Sequence, residues 1–314
     1  MDTFGFTASP ALHAEYPLLG KRLSVRTNSA AILQATERHF GHWCDLPVEA
    51  CSDEHLRLDV IEMPSDRQHS ATYRPQFVHR MNGRTLLAAA DDTLMTAQLD
   101  HGYAIAFVSK ALVANASWFD KHILDTLGLA VATQHEREPI HAGAVVRDGH
   151  AILLAGKSKA GKSTLCYACA QSGFDLLAED VIYIQRQPDL RVWGNASHIH
   201  LLPDAPHFFA ELAGLPATLQ PSGKVKLATP IPNRQHFAER ASLCLIERHE
   251  GAGSTIEPLA TDEAQRCLFD GVDEGFDLYP NAREAARHML ACSPAWRLRV
   301  GRDISSAVQV LKSL

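Results

Sequence analysis

The residues Gly156-Lys157-Ser158-Lys159-Ala160-Gly161-Lys162-Ser163 fit the pattern G-x-x-x-x-G-K-[ST] at every fixed position. Glycines in such a run let backbone N–H groups turn inward onto a polyphosphate, and the N-terminus of the next helix adds partial positive charge. Lys162 is expected to reach the β- and γ-phosphates of a nucleoside triphosphate, and the Ser163 hydroxyl to sit on Mg²⁺. Gly156, Lys159, Ala160, Gly161 and Thr164 complete the expected cradle. The bare pattern also arises as a glycine turn before an ordinary helix, so its flanks decide. Ala151–Ala155 is a short apolar run that reads as a buried strand. Thr164–Ser172 lacks Pro and Gly and reads as a helix closed by Gly173. Strand, glycine loop and helix in that order are what the motif requires.

Two adjacent carboxylates, Glu179 and Asp180, lie 16 and 17 residues beyond Ser163, a separation that one helix and a return strand bring back beside the loop. Phosphoryl transfer needs an acidic metal ligand and often a carboxylate to take the acceptor's proton. Neighbours in a strand point to opposite faces, so only a strand end or bulge lets both serve one site. The plainer alternative is a pair of surface acids at a strand end. His141 precedes the strand that leads to the loop and is a weaker candidate. Cys166 and Cys169 have C-x-x-C spacing inside the loop helix and read as core packing. His198 and His200 share a strand face, but no acid or cysteine stands at matching spacing, so surface or core roles are expected.

The elements that must position these groups can be followed along the chain. A helix is expected over Ser29–Phe40, with Ile32, Leu33, Ala35 and Phe40 buried. Alternating strands at 56–61, 72–78, 84–89 and 103–108 suggest a small α+β domain with an antiparallel sheet. A helix over Ser117–Thr133, capped by Ser117, leads into the loop domain. Pro139–Val146 reads as one strand, turned at Asp148-Gly149 into the strand before the loop. Beyond the acids, 192–195 and 198–203 suggest a further strand or turn, 222–227 a basic turn leading into a strand, and 241–246 and 296–300 strands, with helices at 205–215, 281–292 and 304–314. The division expected is an N-terminal α+β domain over 1–135, able to bind substrate or partner, and the loop domain over 136–314.

Length and composition limit the rest. A chain of 314 residues favours two domains over one, and 46% hydrophobic with 21% charged residues is ordinary globular composition. A net charge of −6 argues against a nucleic-acid partner. Seven cysteines without regular spacing suit a reducing compartment. There is no signal-peptide pattern and no run of about 18 apolar residues. A soluble, cytoplasmic protein without a membrane partner is expected, and a homo-oligomer is compatible with the sequence.

His141 in I-H-A-G-A-V-V, the loop G-K-S-K-A-G-K-S, and L-L-A-E-D-V after a helix ending in Q-S-G stand in fixed order. Together they resemble the catalytic domain of the HPr kinase/phosphorylase family, closely over about residues 136–250 and loosely elsewhere. The first acid of that family's A-D-D-type pair is Glu179 here. Its E-I-R-G-L-G-type segment is replaced by His198-Ile199-His200-Leu201-Leu202-Pro203-Asp204. A divergent branch, the lasso-peptide precursor serine kinases, is the better match, including the Gly223-Lys224 turn and the 241–246 strand. The resemblance implies an α/β fold, with an HPr-kinase-like (PEP-carboxykinase-like) P-loop domain behind a smaller α+β domain. It implies ATP and Mg²⁺ as cofactors and phosphorylation of a serine on a peptide or small protein. It further implies Glu179 as base, Asp180 with Ser163 at the metal, His141 at the transferred phosphoryl group, and Lys224 as a phosphate contact. A small-molecule kinase and a nucleotide-binding regulator without catalysis are the alternatives.

Overall fold

The computed structural model describes residues 10–64, 75–134, 136–220, 223–270 and 279–314. The chain forms two compact units, Met1–His135 and Glu136–Leu314. Both mix helices with sheets.

In the first unit, strands β1 (Leu12–Tyr16), β2 (Arg22–Thr27), β3 (His55–Met63), β4 (Val78–Asn82), β5 (Thr85–Ala90), β6 (Thr93–Gln98) and β7 (Tyr103–Ser109) form one sheet in the order β1-β2-β3-β7-β6-β5-β4. The sheet is mixed where an antiparallel one was expected: β2–β3 and β3–β7 run parallel. Helix α1 (Ala30–Phe40) supplies the crossover that parallel β2–β3 pairing needs. In α1, Thr36 is buried in place of the expected Leu33, which is only partly covered. Of the strand expected at 72–78, residues 72–74 lie outside the described residues and only Val78 is in a strand. The helical region starts earlier than expected. Ser109 caps α2 (Lys110–Ala114), accepting from the Leu112 N–H, and Asn115 rather than Ser117 precedes α3 (Ala116–Phe119). A π-turn at Asp120–Asp125 and α4 (Thr126–Ala132) complete it.

The second unit contains three sheets. The largest holds β9 (Gly143–Arg147), β10 (His150–Ala155), β11 (Asp175–Ala178), β18 (Arg240–Arg248), β19 (Thr255–Pro258) and β20 (Ala295–Val300), in the order β11-β9-β10-β18-β20-β19. A four-stranded sheet holds β8 (Glu138–His141), β12 (Val181–Gln185), β13 (Arg191–Gly194) and β17 (Phe237–Ala238). A three-stranded sheet holds β14 (His198–Leu201), β15 (Ala217–Leu219) and β16 (Val225–Pro230). Helices are α5 (Lys162–Gln171), α6 (Thr261–Phe269), α7 (Ala282–Cys292) and α8 (Ile304–Lys312). Strand β19 and helix α6 had no counterpart in the sequence reading. The helix expected at 205–215 is two short 3₁₀ turns, Ala205–His207 and Ala210–Leu212.

The strand expected over Pro139–Val146 is divided. Its first half, β8, pairs with β12 in the smaller sheet, and its second half, β9, pairs with β10 and β11 in the larger. The chain passes from one sheet to the other at Ala142. Its partner ribbon makes the same passage at Glu179-Asp180, between β11 and β12. The registers place these passages side by side, with His141 opposite Val181 and Ala144 opposite Ala178. The Asp148-Gly149 hairpin forms as expected, both residues at positive φ (51° and 72°), the geometry of a tight two-residue turn.

Apolar side chains from both faces of the large sheet form two cores. One includes Leu153, Leu243, Ala286 and Met289, and the other Leu154, Leu165, Phe174 and Leu311, all buried. Cys166 and Cys169 belong to the second core as free thiols, as the sequence reading had them. Burial pushes the Cys169 thiol up to about 12 and the Cys166 thiol well above its ordinary range, which leaves neither reactive near neutral pH.

Candidate active site

Strand β10 ends at Ala155, the glycine run follows, and α5 begins at Lys162. The loop turns through positive φ at Gly156 (152°), Lys159 (66°) and Gly161 (99°). A side chain at Gly161 would also be crowded, its Cβ meeting the guanidinium of Arg248. Lys162 folds back over the loop, its Nζ donating to Gly156 O at 2.9 Å and Lys157 O at 3.5 Å. An ammonium gathering main-chain carbonyls of its own loop is placed to exchange them for phosphate oxygens. Thr164 follows on the first turn of α5, partly covered, while Lys159 and Lys224 are exposed.

The acid pair sits where its ribbon changes sheets, so neither residue is spent on strand alternation. Ser163 Oγ donates to Glu179 Oε1 at 3.4 Å. Glu179 Oε2 lies 2.7 Å from His200 Nδ1, and Oε1 lies 3.6 Å from Lys226 Nζ. Asp180 is the more open of the two, with a side-chain exposure of 61% against 13% for Glu179. Its Oδ1 is 3.6 Å from His141 Nδ1. The fold therefore gathers Lys162, Ser163, Glu179, Asp180 and His141 at one end of the large sheet. Gly143 permits the close fit, since a Cβ there would stand 2.9 Å from Glu179 O.

Three residues of the site were missed or misjudged in the sequence. His200, assigned a surface or core role, is a hydrogen-bonding partner of Glu179. The carboxylate it needs stands 21 residues earlier in the chain, outside any local spacing rule. Lys226, given no role in the sequence, reaches Glu179. In β16 it shares a face with Ala228, which pairs with His200, so period-two alternation puts Lys226 and His200 on one side of the small sheet. Arg248, at the end of β18, donates from Nε to Ala160 O at 3.1 Å and braces the loop from outside. Strand β18 runs parallel to β10, which brings its C-terminal end to the loop. Only the apolar strand 241–246 was visible in advance.

The donor set suits a hard cation. Among the described residues no group of three or more His, Cys, Asp or Glu side chains converges on a metal position. Mg²⁺ held beside phosphates requires only one or two protein carboxylates, and oxygen donors throughout. Ser163 Oγ and the Glu179 carboxylate are such a pair. They also differ from the pair implied by the resemblance, in which Asp180 accompanies Ser163.

No protein-family model matches the chain, and no curated protein matches it. A solved structure, that of the Hpr(Ser) kinase/phosphatase from Coxiella burnetii, is similar over 56% of this chain and 88% of that one, at 14% identity and a TM-score of 0.30. So slight a likeness carries no weight for fold or function. Among the described residues no helix is long and apolar enough to cross a membrane.

Proposed function

We propose that the chain is a kinase that moves the terminal phosphoryl group of ATP to a serine hydroxyl on a peptide or small protein. The observation that carries the reading is the approach of Glu179 to Ser163, which sets a carboxylate against the hydroxyl that follows the lysine of a phosphate-loop motif. In the proposed reaction the serine oxygen bonds to the terminal phosphorus as the bond to the bridging oxygen breaks. The hydroxyl proton passes to a carboxylate of the chain.

Asp180 takes that proton in this reading, because it is the exposed acid and faces outward beside His141. Glu179 and Ser163 hold Mg²⁺, which supplies positive charge against the phosphate oxygens when bound with the nucleotide. Lys162 holds the phosphates, and His141 orients Asp180. The roles of the two acids are thus exchanged relative to those implied by the family resemblance. A lasso-peptide precursor ending in serine is the first acceptor to try.

The test is incubation with ATP, Mg²⁺ and serine-ended peptides, followed by mass spectrometry for one added phosphate. Asp180→Asn is expected to lower kcat by about 10²–10⁴, the usual contribution of a positioned acid or base, without weakening nucleotide binding. Glu179→Gln is expected to raise the Mg²⁺ concentration needed for half-maximal rate. Nucleotide binding without phosphate transfer to any peptide would point instead to a regulator or a small-molecule kinase.

A further inference from the structure

A cavity of about 240 Å³ opens at the end of the large sheet opposite the phosphate loop. His150, at its wall, starts β10, and the loop follows Ala155 at the other end of that strand, about 17 Å away at ~3.3 Å per residue. Arg147, His150 and Ile152 line the cavity from the β9–β10 hairpin, Arg240 from the start of β18, and Leu311 and Lys312 from α8.

Each of the two guanidinium groups donates to one main-chain oxygen. Arg147 Nη1 donates to Lys312 O at 3.1 Å, and Arg240 Nη2 to Asp148 O at 2.9 Å. Carbonyl acceptors orient a guanidinium without cancelling its charge. The nearby carboxylate, that of Asp148, lies 3.6 Å from Arg147 Nε with its side chain 91% exposed. Arg240 and Lys312 have no carboxylate at ion-pair distance among the described residues, and Leu314, which also borders the cavity, makes no ion pair with them. His150 bonds Ser242 Oγ at 3.0 Å, and burial, with the charge of Arg240, pushes its pKa below 6.5. The cavity is thus an open, positively charged recess in which two exposed arginines, each oriented by one main-chain oxygen, stand above the buried Ile152 and Leu311.

We propose that this cavity binds a small phosphorylated molecule, its phosphate held by Arg147 and Arg240 and its apolar part resting on Ile152 and Leu311. Planar guanidinium forks match the paired oxygens of a phosphate, and forks already oriented lose less freedom on binding. The volume is below the roughly 300–1,000 Å³ of drug-sized sites, so the ligand is compact. The site is separate from the phosphate loop and does not depend on the kinase reading.

Calorimetric titration of the full chain with phenyl phosphate and with inorganic phosphate tests it, using Lys162→Ala to remove the loop's own phosphate affinity. Binding is expected to persist in Lys162→Ala, to weaken at least tenfold in Arg147→Ala or Arg240→Ala, and to recover partly in Arg240→Lys. Phenyl phosphate should bind the tighter of the two, and saturation should raise the His150 pKa as followed by NMR. Loss of binding in Lys162→Ala with no change in Arg240→Ala would overturn the proposal, as would the absence of binding and of a His150 shift at millimolar probe. Equal affinities for the two probes would remove the apolar contact from it. Should both arginine variants fail to fold, Lys312→Ala is expected to weaken binding at least threefold, and unchanged affinity there would count equally against the site.

Discussion

His200 Nδ1 lies 2.7 Å from Glu179 Oε2, joining a strand of the small three-stranded sheet to the carboxylate that meets the phosphate loop. Lys226 approaches the other oxygen of the same carboxylate at 3.6 Å. Replacing His200 by Ala removes a hydrogen bond to a charged group, worth about 1.5–3 kcal/mol. The expected outcome is a fall in kcat of roughly 10- to 100-fold with peptide and ATP, while His200→Gln, which keeps a side-chain donor, recovers part of it. Steady-state kinetics on the three proteins is the check. A kcat unchanged in His200→Ala would mean that Glu179 is positioned without it.

Lys162 is almost fully buried, and its ammonium donates to Gly156 O and Lys157 O of its own loop. Lys162→Ala is expected to weaken ATP binding by about 10- to 100-fold, the equivalent of one charge-assisted contact, with the melting temperature changed little. Calorimetry in the presence of Mg²⁺ measures the first quantity and thermal unfolding the second. Equal affinity in the variant would remove the nucleotide from the loop altogether.

At Gly161 a substitution meets two obstacles. The backbone is left-handed at φ 99°, and the new Cβ would press on the guanidinium of Arg248. Gly161→Ala is expected to cost about 1–2 kcal/mol from the backbone alone. That corresponds to a drop in melting temperature of several degrees for a domain of this size, with nucleotide affinity lost in parallel. Adding Arg248→Ala should relieve the steric part of the damage and leave the backbone part. A double variant no better than Gly161→Ala would show that Arg248 yields freely and braces nothing.

The first unit carries a titrating pair. His39 Nε2 and Asp125 Oδ1 are 2.8 Å apart. Burial works against the charged imidazole, but the hydrogen bond and charge of Asp125 outweigh it and hold the His39 pKa above 6.5. Burial likewise opposes the Asp125 carboxylate, and His39 holds its pKa below 3.8. A raised histidine contributes stability that is fully present below pH 6.5 and lost as pH rises through its higher folded value. A depressed carboxylate contributes stability present above pH 3.8 and lost as pH falls through its folded value. The first unit should therefore lose stability as pH rises above 6.5, as read by urea unfolding, and His39→Ala should flatten that dependence. A flat profile in the wild type would exclude the pair as a contributor.

Much of the glycine loop and its flanks could be read in advance, because such a loop is built from neighbouring residues whose order dictates its shape. Ala151–Ala155, the glycine run and the helix after it appear as expected, and so does the return to Glu179-Asp180. The charge environment of Glu179 was not legible. His200 and Lys226 reach it through the pairing of β14 with β16, a register set by contacts distant in sequence. The division of Pro139–Val146 between two sheets was hidden for a related reason. A continuous apolar run does not reveal which strands will flank each of its halves. In the first unit, period-two alternation marked several strands but not their direction, so the parallel pairs on either side of β3 were missed.

The loop rides on the large sheet, whereas His200 and Lys226 ride on the small one, and the two sheets share no strand. Substitutions in β14 and β16 can therefore alter the surroundings of Glu179 while the strand beneath the loop keeps its hydrogen-bonding neighbours. The separation has a limit: Ile199, Leu201 and Leu227 of the small sheet are buried in one core with Leu165 and Cys166 of α5, so only its outward-facing positions can be varied without loosening the helix behind the loop.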